Sequence, residues 1–221
     1  QVMMMNPTQG VRGTSVSLSG QYLSNATVTV GGIAVVPSVN TDMAITFNVP
    51  MGVASGGQMV VVTTNGGSAN RLFTVLDAPV INTIDPSTGL RGTTVTLTGS
   101  NLANANVSFN GMSILPQLAN DTTITFTVPN NAMSGANQIM VMTPGGQTMQ
   151  SFNVLDVPSI QMLSSTQGLR GSMVMIKGNG LASATVYVGN ALANVLDNNQ
   201  NALTFTIPMG AISGLQTVTV T

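Results

Sequence analysis

The sequence contains no cysteine, histidine, tryptophan or glutamate among its 221 residues, and its six acidic residues are all aspartates. Without cysteine, neither a disulfide bond nor a thiolate metal site can form. Without histidine, cysteine or glutamate, most pairings of a nucleophile with a base cannot be built from this chain. We therefore expect no catalytic residue, no cofactor and no metal site, and we predict that the protein is not an enzyme.

Charge is also scarce, because five basic and six acidic side chains give a formal net charge of −1. Binding to nucleic acid requires clustered Lys and Arg, so these scattered basic residues argue against a nucleic-acid partner. No run of about 18 apolar residues occurs, so no membrane span is predicted. The start of the chain, QVMMMNPTQG, does not resemble a signal peptide. Low net charge reduces repulsion between copies and favours self-association.

What the chain does contain is one pattern written three times, with an offset of 79 residues. The segment GVRGTSVSLSG at 10–20 returns as GLRGTTVTLTG at 89–99 and as GLRGSMVMIKG at 168–178. A second motif, ITFNVP, recurs at the same offset as ITFTVP and LTFTIP. A fixed period indicates repeated structural units. We predict three domains, with the boundaries 1–79, 80–158 and 159–221.

Within each unit, apolar and polar residues alternate over short segments bounded by Gly and Pro. In TSVSLSG, Val16 and Leu18 point to one face and the serines to the other. The helix formers Lys and Glu are nearly absent, while Val and Thr are abundant. This pattern predicts a two-sheet β-sandwich of about seven strands per unit. The residues expected to point inward in the first unit also include Val28, Val30, Ile45, Phe47, Val49, Val60, Val62, Phe73 and Val75.

The order of these motifs resembles a known family. PxxGxxGxxVxLxGxxL, followed by IxFxVP, SGxxxxVxTxxG and FxV, is similar to the immunoglobulin-like IPT/TIG domain, and the resemblance covers all three units. It implies an all-β chain of three tandem immunoglobulin-like β-sandwiches used as an extracellular or cell-surface module. Such modules occur in microbial surface proteins and animal receptors, beside glycan-degrading catalytic domains, and in some DNA-binding factors. The basic loops of that last group are missing here.

The links between units, LDAPV at 76–80 and LDVPS at 155–159, contain no flexible Gly/Ser spacer. Proline stiffens such a link, so we predict that the units form an elongated rod. One hypothesis is that Arg91 and Arg170 brace the joints through Asp77 and Asp156; the alternative is that the arginines are solvated turn residues. The candidate joint residues are Asp77, Pro79, Arg91, Asp156, Pro158 and Arg170.

The third unit is shorter than the others. Three periods of 79 would require 237 residues, 16 more than the 221 present, and the counterpart of TNGGSANRLFTVLDAP (64–79) is missing. We therefore expect the third unit to lack its last strand and to leave an open sheet edge. Two explanations remain: either the chain is part of a longer protein or its end is disordered, or another subunit supplies the strand by β-augmentation.

The same alternation forces several apolar residues outward. Methionine adapts to irregular partner surfaces, and adjacent outward apolar residues form a patch that suggests a contact. The alternative is that these are scattered exposed side chains, which proteins tolerate. The candidate self-association residues are Met59, Val61, Met140, Met142, Met173 and Met175.

A glycan partner would be expected to use exposed aromatic rings, for which Tyr22 and Tyr187 are the candidates. Asn25, Asn106 and Asn120 begin acceptor triplets for N-glycosylation.

We favour a structural role, as a self-associating segment of an extracellular filament, sheath or surface stalk, with other copies of the chain as partners. The alternatives are an adhesin stalk that presents a tip domain and an accessory module of a secreted glycan-active enzyme, with a glycan or cell-surface partner.

Overall fold

The computed structural model describes residues 1–221, and all of its regular elements are β-strands, which confirms the predicted fold class. The chain divides into two compact units. One is formed by Gln1–Pro86, Thr94–Thr127 and Gln138–Ser151, and the other by Ser87–Thr93, Val128–Asn137 and Phe152–Thr221. The division runs through the second repeat and leaves the first repeat within one unit and the third within the other.

The first repeat folds into two sheets, with strand orders β1-β3-β7-β6 and β2-β9-β8-β4-β5. It has nine strands where about seven were predicted, because β2 and β6 are two-residue strands too short to show alternation. The turn after Thr64 joins two nine-residue strands in a hairpin. The strands are β1 (Val2–Asn6), β2 (Gln9–Gly10), β3 (Ser15–Gly20), β4 (Thr27–Val30), β5 (Ile33–Val35), β6 (Val39–Asn40), β7 (Ala44–Asn48), β8 (Gly56–Thr64) and β9 (Gly67–Val75).

The second repeat has the same two sheets, ordered β10-β12-β16-β15 and β11-β18-β17-β13-β14. Its two-residue strand β11 pairs in parallel with β18, just as β2 pairs with β9. The strands are β10 (Val80–Asp85), β11 (Thr88–Gly89), β12 (Thr94–Ser100), β13 (Asn106–Phe109), β14 (Met112–Ile114), β15 (Leu118–Ala119), β16 (Thr123–Thr127), β17 (Gly135–Thr143) and β18 (Gly146–Val154).

The third repeat keeps one complete sheet, β19-β20-β24-β23, but its other sheet has only the three strands β22-β21-β25. No strand corresponds to β9 or β18, and none corresponds to the short parallel strands β2 and β11. The strands are β19 (Ser159–Leu163), β20 (Met173–Asn179), β21 (Val186–Val188), β22 (Ala191–Leu192), β23 (Asn194–Asn198), β24 (Ala202–Thr206) and β25 (Val218–Val220).

The core of each sandwich consists of the inward residues that alternation identifies. Every inward residue predicted for the first repeat is almost completely buried, and these residues form one contiguous cluster. The third repeat has its own cluster around Ile176, Leu203 and Phe205. Burial of apolar surface stabilises a domain by about 25 cal/mol per Å², so alternation along the strands is the main determinant of this fold.

The recurring glycines of the first motif also have structural reasons. Gly13 has a φ of +87°, a conformation that side-chain-bearing residues rarely adopt, and its counterparts have similar values. Gly99 lies where the strand pairing of β10 with β12 shifts register between Ile81 and Thr83. A Cβ on Gly99 would lie 1.8 Å from the carbonyl oxygen of Val80, and Gly20 and Gly178 occupy equally tight positions.

Candidate functional surfaces

The outward residues proposed for self-association do lie on the outer faces of their sheets. Met59 and Met142 are each 42% exposed, Met173 is 69% and Met175 is 41% exposed, while Val61 and Met140 are half-buried. On β8 and β9, Met59 pairs across the strands with Leu72, which is also exposed. The outer face of this sheet therefore carries adjacent apolar side chains.

Exposure of methionine extends well beyond the predicted positions. Thirteen of the fifteen methionines are exposed by more than a third of their surface; only Met5 is buried and Met140 half-buried. Met3 and Met4 on β1 lie outward, and others lie in loops, where alternation gives no guidance. Methionine is normally a core residue, so its concentration at the surface is the main compositional feature of this exterior.

The predicted bracing of the joints by arginine is wrong in its pairing. The Arg12 Nη1 atom donates to Asp77 Oδ1 at 2.5 Å, and Arg91 Nη1 donates to Asp156 Oδ1 at 2.5 Å. Each aspartate thus pairs with the arginine one repeat earlier than predicted. The physical reason lies in β9 and β18, the last strands of the first two sandwiches, which we call the closing strands. Each closing strand pairs with a short strand near the start of its own sandwich, β2 or β11, and the aspartate that follows it therefore meets the arginine of the same repeat.

A fixed set of hydrogen bonds orients each arginine. Arg91 Nε donates to the Ala132 carbonyl at 2.8 Å, and its Nη2 donates to Ser134 Oγ at 3.2 Å. Ser134 Oγ in turn donates to Asp156, and Gln200 Nε2 donates to the same carboxylate at 2.8 Å. Asp156 therefore joins residues that precede and follow the LDVPS segment.

These contacts hold both aspartates in the charged form. Hydrogen bonds from Ser134 and then Arg91 lower the pKa of Asp156, and hydrogen bonds from Ser55 and then Arg12 lower the pKa of Asp77. A carboxylate engaged in this way is a weak base, so the arrangement is suited to holding chain segments together. We call each set of Arg, Ser and Asp side chains a clasp.

The remaining candidates are dispersed. Pro79 is buried, Pro158 is half-buried, Tyr22 is exposed and Tyr187 is half-buried. The acceptor asparagines Asn25, Asn106 and Asn120 are exposed. No group of three or more acidic side chains converges as a metal site would require, and no helix has the length and apolarity needed to cross a bilayer.

The family model of the IPT/TIG domain matches three successive segments of the sequence, 1–75, 79–155 and 158–221. The chain belongs to the IPT/TIG family. It is a tandem array of IPT/TIG repeats with immunoglobulin-like sandwich folds, as the sequence motifs predicted. No curated protein matches the chain significantly.

Several solved structures resemble the IPT/TIG array at low sequence identity. A crystal structure with a xylogluco-oligosaccharide is 20% identical with a TM-score of 0.44, and the match covers 100% of this chain and 56% of the other chain. The Bacteroides ovatus protein SGBP-B, in complex with a mixed-linkage heptasaccharide, is 17% identical with a TM-score of 0.33; this match covers 91% of this chain and 65% of that protein. The titin fragment I67-I69 is 10% identical with a TM-score of 0.46, and the match covers 100% of this chain and 97% of the fragment. The IPT/TIG array spans less than two thirds of the first two proteins.

The partners of Asp77 and Asp156 were not identified by sequence reasoning, although a signal existed. Arg12, Arg91 and Arg170 recur at the 79-residue offset, and so does the Ser-Gly pair at 55–56, 134–135 and 213–214. Asp77 and Asp156 are separated by the same offset. Because Arg, Ser and Asp recur together, they suggest one cluster within each repeat. No comparable signal marks Gln200, because it has no counterpart in the clasp of the first repeat.

Proposed function

We propose that this IPT/TIG array is a structural segment of an extracellular filament, sheath or surface stalk, whose copies associate through methionine-bearing sheet faces. The observation that supports this function best is the exposure of thirteen of the fifteen methionines. Flexible thioether side chains adapt to a partner surface and lose contact with water when it docks.

The charge of the chain favours the same role. A net charge of −1 leaves little electrostatic repulsion between copies. On β20, Met173 and Met175 lie outward beside the uncharged Thr206 and Thr204 of β24, and Lys177 is the next outward residue on β20. Full burial of a methionine side chain is worth about 1.5–3 kcal/mol, so covering the exposed part of several methionines would stabilise an interface between copies.

The test is a double charge insertion on this face. In Met173→Lys/Met175→Lys, two ammonium groups would have to be desolvated on docking, so we expect assembly to weaken at least about tenfold. Sedimentation velocity over a range of concentrations gives the association constant, and negative-stain microscopy shows whether ordered fibres form.

The first repeat offers a matched control. Ser15 and Ser17 occupy the same strand positions as Met173 and Met175, and both are exposed. Ser15→Lys/Ser17→Lys adds the same charge without removing a methionine and should leave assembly within about twofold of the unmodified chain. If both double variants assemble alike, or if the chain stays monomeric at all concentrations, the proposed function is wrong.

A further inference from the structure

Methionine carries all of the sulfur in this chain, which has fifteen methionines and no cysteine. Met5 is the single methionine among the buried apolar residues, and Met140 is half-buried. The other buried apolar residues are Val, Leu, Ile, Phe and Ala, whose side chains contain no sulfur. The atoms that a mild oxidant attacks are therefore kept out of the core and concentrated on the exterior.

Three of these methionines share the outer face of one sheet in the third repeat. Met173 and Met175 alternate along β20, and Met162 of β19 pairs across the strands with Lys177, the next outward residue of β20. Outward residues two apart on a strand lie about 7 Å from each other, and diagonal neighbours on adjacent strands lie about 7–8 Å apart, within reach of long side chains. All three are exposed, so their thioethers form one continuous surface, which we call the methionine patch.

The sandwich fold does not require methionine at these positions. Met162 corresponds to Met4 in the first repeat and to Thr83 in the second. Both of those repeats have hydroxyl side chains at the strand positions of Met173 and Met175: Ser15, Ser17, Thr94 and Thr96. Since complete sandwiches form with serine and threonine there, a polar atom at the methionine patch is compatible with the fold.

We propose that the methionine patch is an oxidation-sensitive site, at which conversion of the thioethers to sulfoxides by a peroxide weakens association between copies and leaves the sandwiches folded. The thioether sulfur attacks one peroxide oxygen, the O–O bond breaks, and the proton of the transferred hydroxyl passes to the departing hydroxide, so that one sulfoxide and one water form. Sulfur loses two electrons and the peroxide gains them. The inference rests on the proposed function, because it assigns the regulation of the same face.

A sulfoxide changes what happens when the face docks. A thioether is apolar and adapts to a partner surface, whereas a sulfoxide carries a polar oxygen that is hydrated in the free chain. Burying that oxygen without a hydrogen-bond partner is unfavourable, so each oxidised side chain opposes the contact that its thioether favoured. Methionine sulfoxide reductases regenerate the thioether, which makes the change reversible.

The test compares the 221-residue chain before and after treatment with hydrogen peroxide. Peptide mapping by mass spectrometry gives the oxidation rate of each methionine, and the three patch residues should react at least about tenfold faster than buried Met5. Sedimentation velocity should then show association at least about tenfold weaker than in the untreated chain. A pair of methionine sulfoxide reductases, one for each sulfoxide epimer, should restore it. Hydrogen exchange in β20 and β24 should stay within about twofold of the untreated value, because the sheet remains folded.

A variant without sulfur in the patch separates oxidation from apolarity. Met162→Leu/Met173→Leu/Met175→Leu keeps the patch apolar at similar volume and should associate within about threefold of the unmodified chain. Because leucine cannot accept the peroxide oxygen, its association should fall by less than about threefold after the same treatment.

The matched control removes three exposed methionines that lie outside the strands. Met43→Leu/Met51→Leu/Met209→Leu carries the same number and kind of substitutions, and it should respond to peroxide as the unmodified chain does. Equal responses of the patch and loop variants would show that the methionine patch is not the sensitive site.

The remaining outcomes separate this proposal from the proposed function. If the untreated chain associates and oxidation does not weaken that association, or if the reductases do not restore it, the oxidation-sensitive site is wrong and the structural role stands. Faster exchange in β20 and β24 after oxidation would also overturn the proposal, because the sulfoxides would then act through the fold. A chain that never associates refutes both.

Discussion

Replacing Gly99 by alanine tests how closely the sandwich depends on its motif. An added Cβ would lie 1.8 Å from the Val80 carbonyl oxygen and 3.2 Å from the Ile81 Cα, and real Cβ atoms essentially never approach closer than 3.0 Å. The separation from the oxygen must therefore grow by at least 1.2 Å. Both contacts are backbone atoms of β10, so no side-chain rotation can relieve them.

The magnitude follows from what such a shift disrupts. Moving β10 away from β12 weakens one or two ladder hydrogen bonds, each worth about 1 kcal/mol, and overpacking strain adds about 1–3 kcal/mol. We expect Gly99→Ala to destabilise the second repeat by about 2–5 kcal/mol. The effect should be local, because β10 and β12 belong to a single sheet.

Hydrogen exchange read by mass spectrometry suits a chain of several domains, because it reports the opening free energy of each strand separately. Gly99→Ala should raise exchange in Val80–Asp85 and Thr94–Ser100. The matched control is Gly66→Ala, where the nearest atom, Thr64 Oγ1, lies 3.8 Å away, and this change should stay within about 0.5 kcal/mol. Equal exchange in the two variants would refute the argument that close backbone approach explains the recurring glycine.

Two further predictions concern the closing strand and the clasp of the first repeat. Phe73→Ala should destabilise that repeat by about 3–5 kcal/mol because it leaves a cavity in the core, whereas the neighbouring, half-buried Thr74→Ala should cost less than about 1 kcal/mol; urea unfolding measures both. The lowered pKa of Asp77 stabilises the fold fully above the unfolded value of about 3.9, and this stabilisation is lost as the pH falls through the lower folded value. Asp77→Asn should therefore flatten the decline of stability below about pH 4, measured by acid titration of the unfolding midpoint; parallel acid profiles for wild type and Asp77→Asn would contradict this.

Alternation made the core predictable because each inward position in a half-buried strand carries its own signal. Val16, Leu18 and Phe47 could be placed from their neighbours alone, and each is buried. The two-residue strands β2 and β11 gave no such signal, since alternation needs several residues to be visible. They pair with β9 and β18, which lie much later in the chain, and local sequence does not encode contacts between such distant segments.

The Arg–Asp pairs of the clasps also could not be predicted, because they too join residues that are distant in sequence. The recurrence of Arg12 and Arg91 showed that these arginines have a role, but not which aspartate each one contacts. The two pairs, Arg12 with Asp77 and Arg91 with Asp156, bring together residues 65 apart in sequence. Sequence proximity favoured the aspartate just before each arginine, whereas the closed sandwich brings in the one that follows.

The parallel pairing of β2 with β9, and of β11 with β18, determines how these domains would respond to tension. In each pair one strand lies near the entry of the domain and the other near its exit, so opposite pulls on the two ends load their hydrogen bonds in shear, all at once rather than one after another.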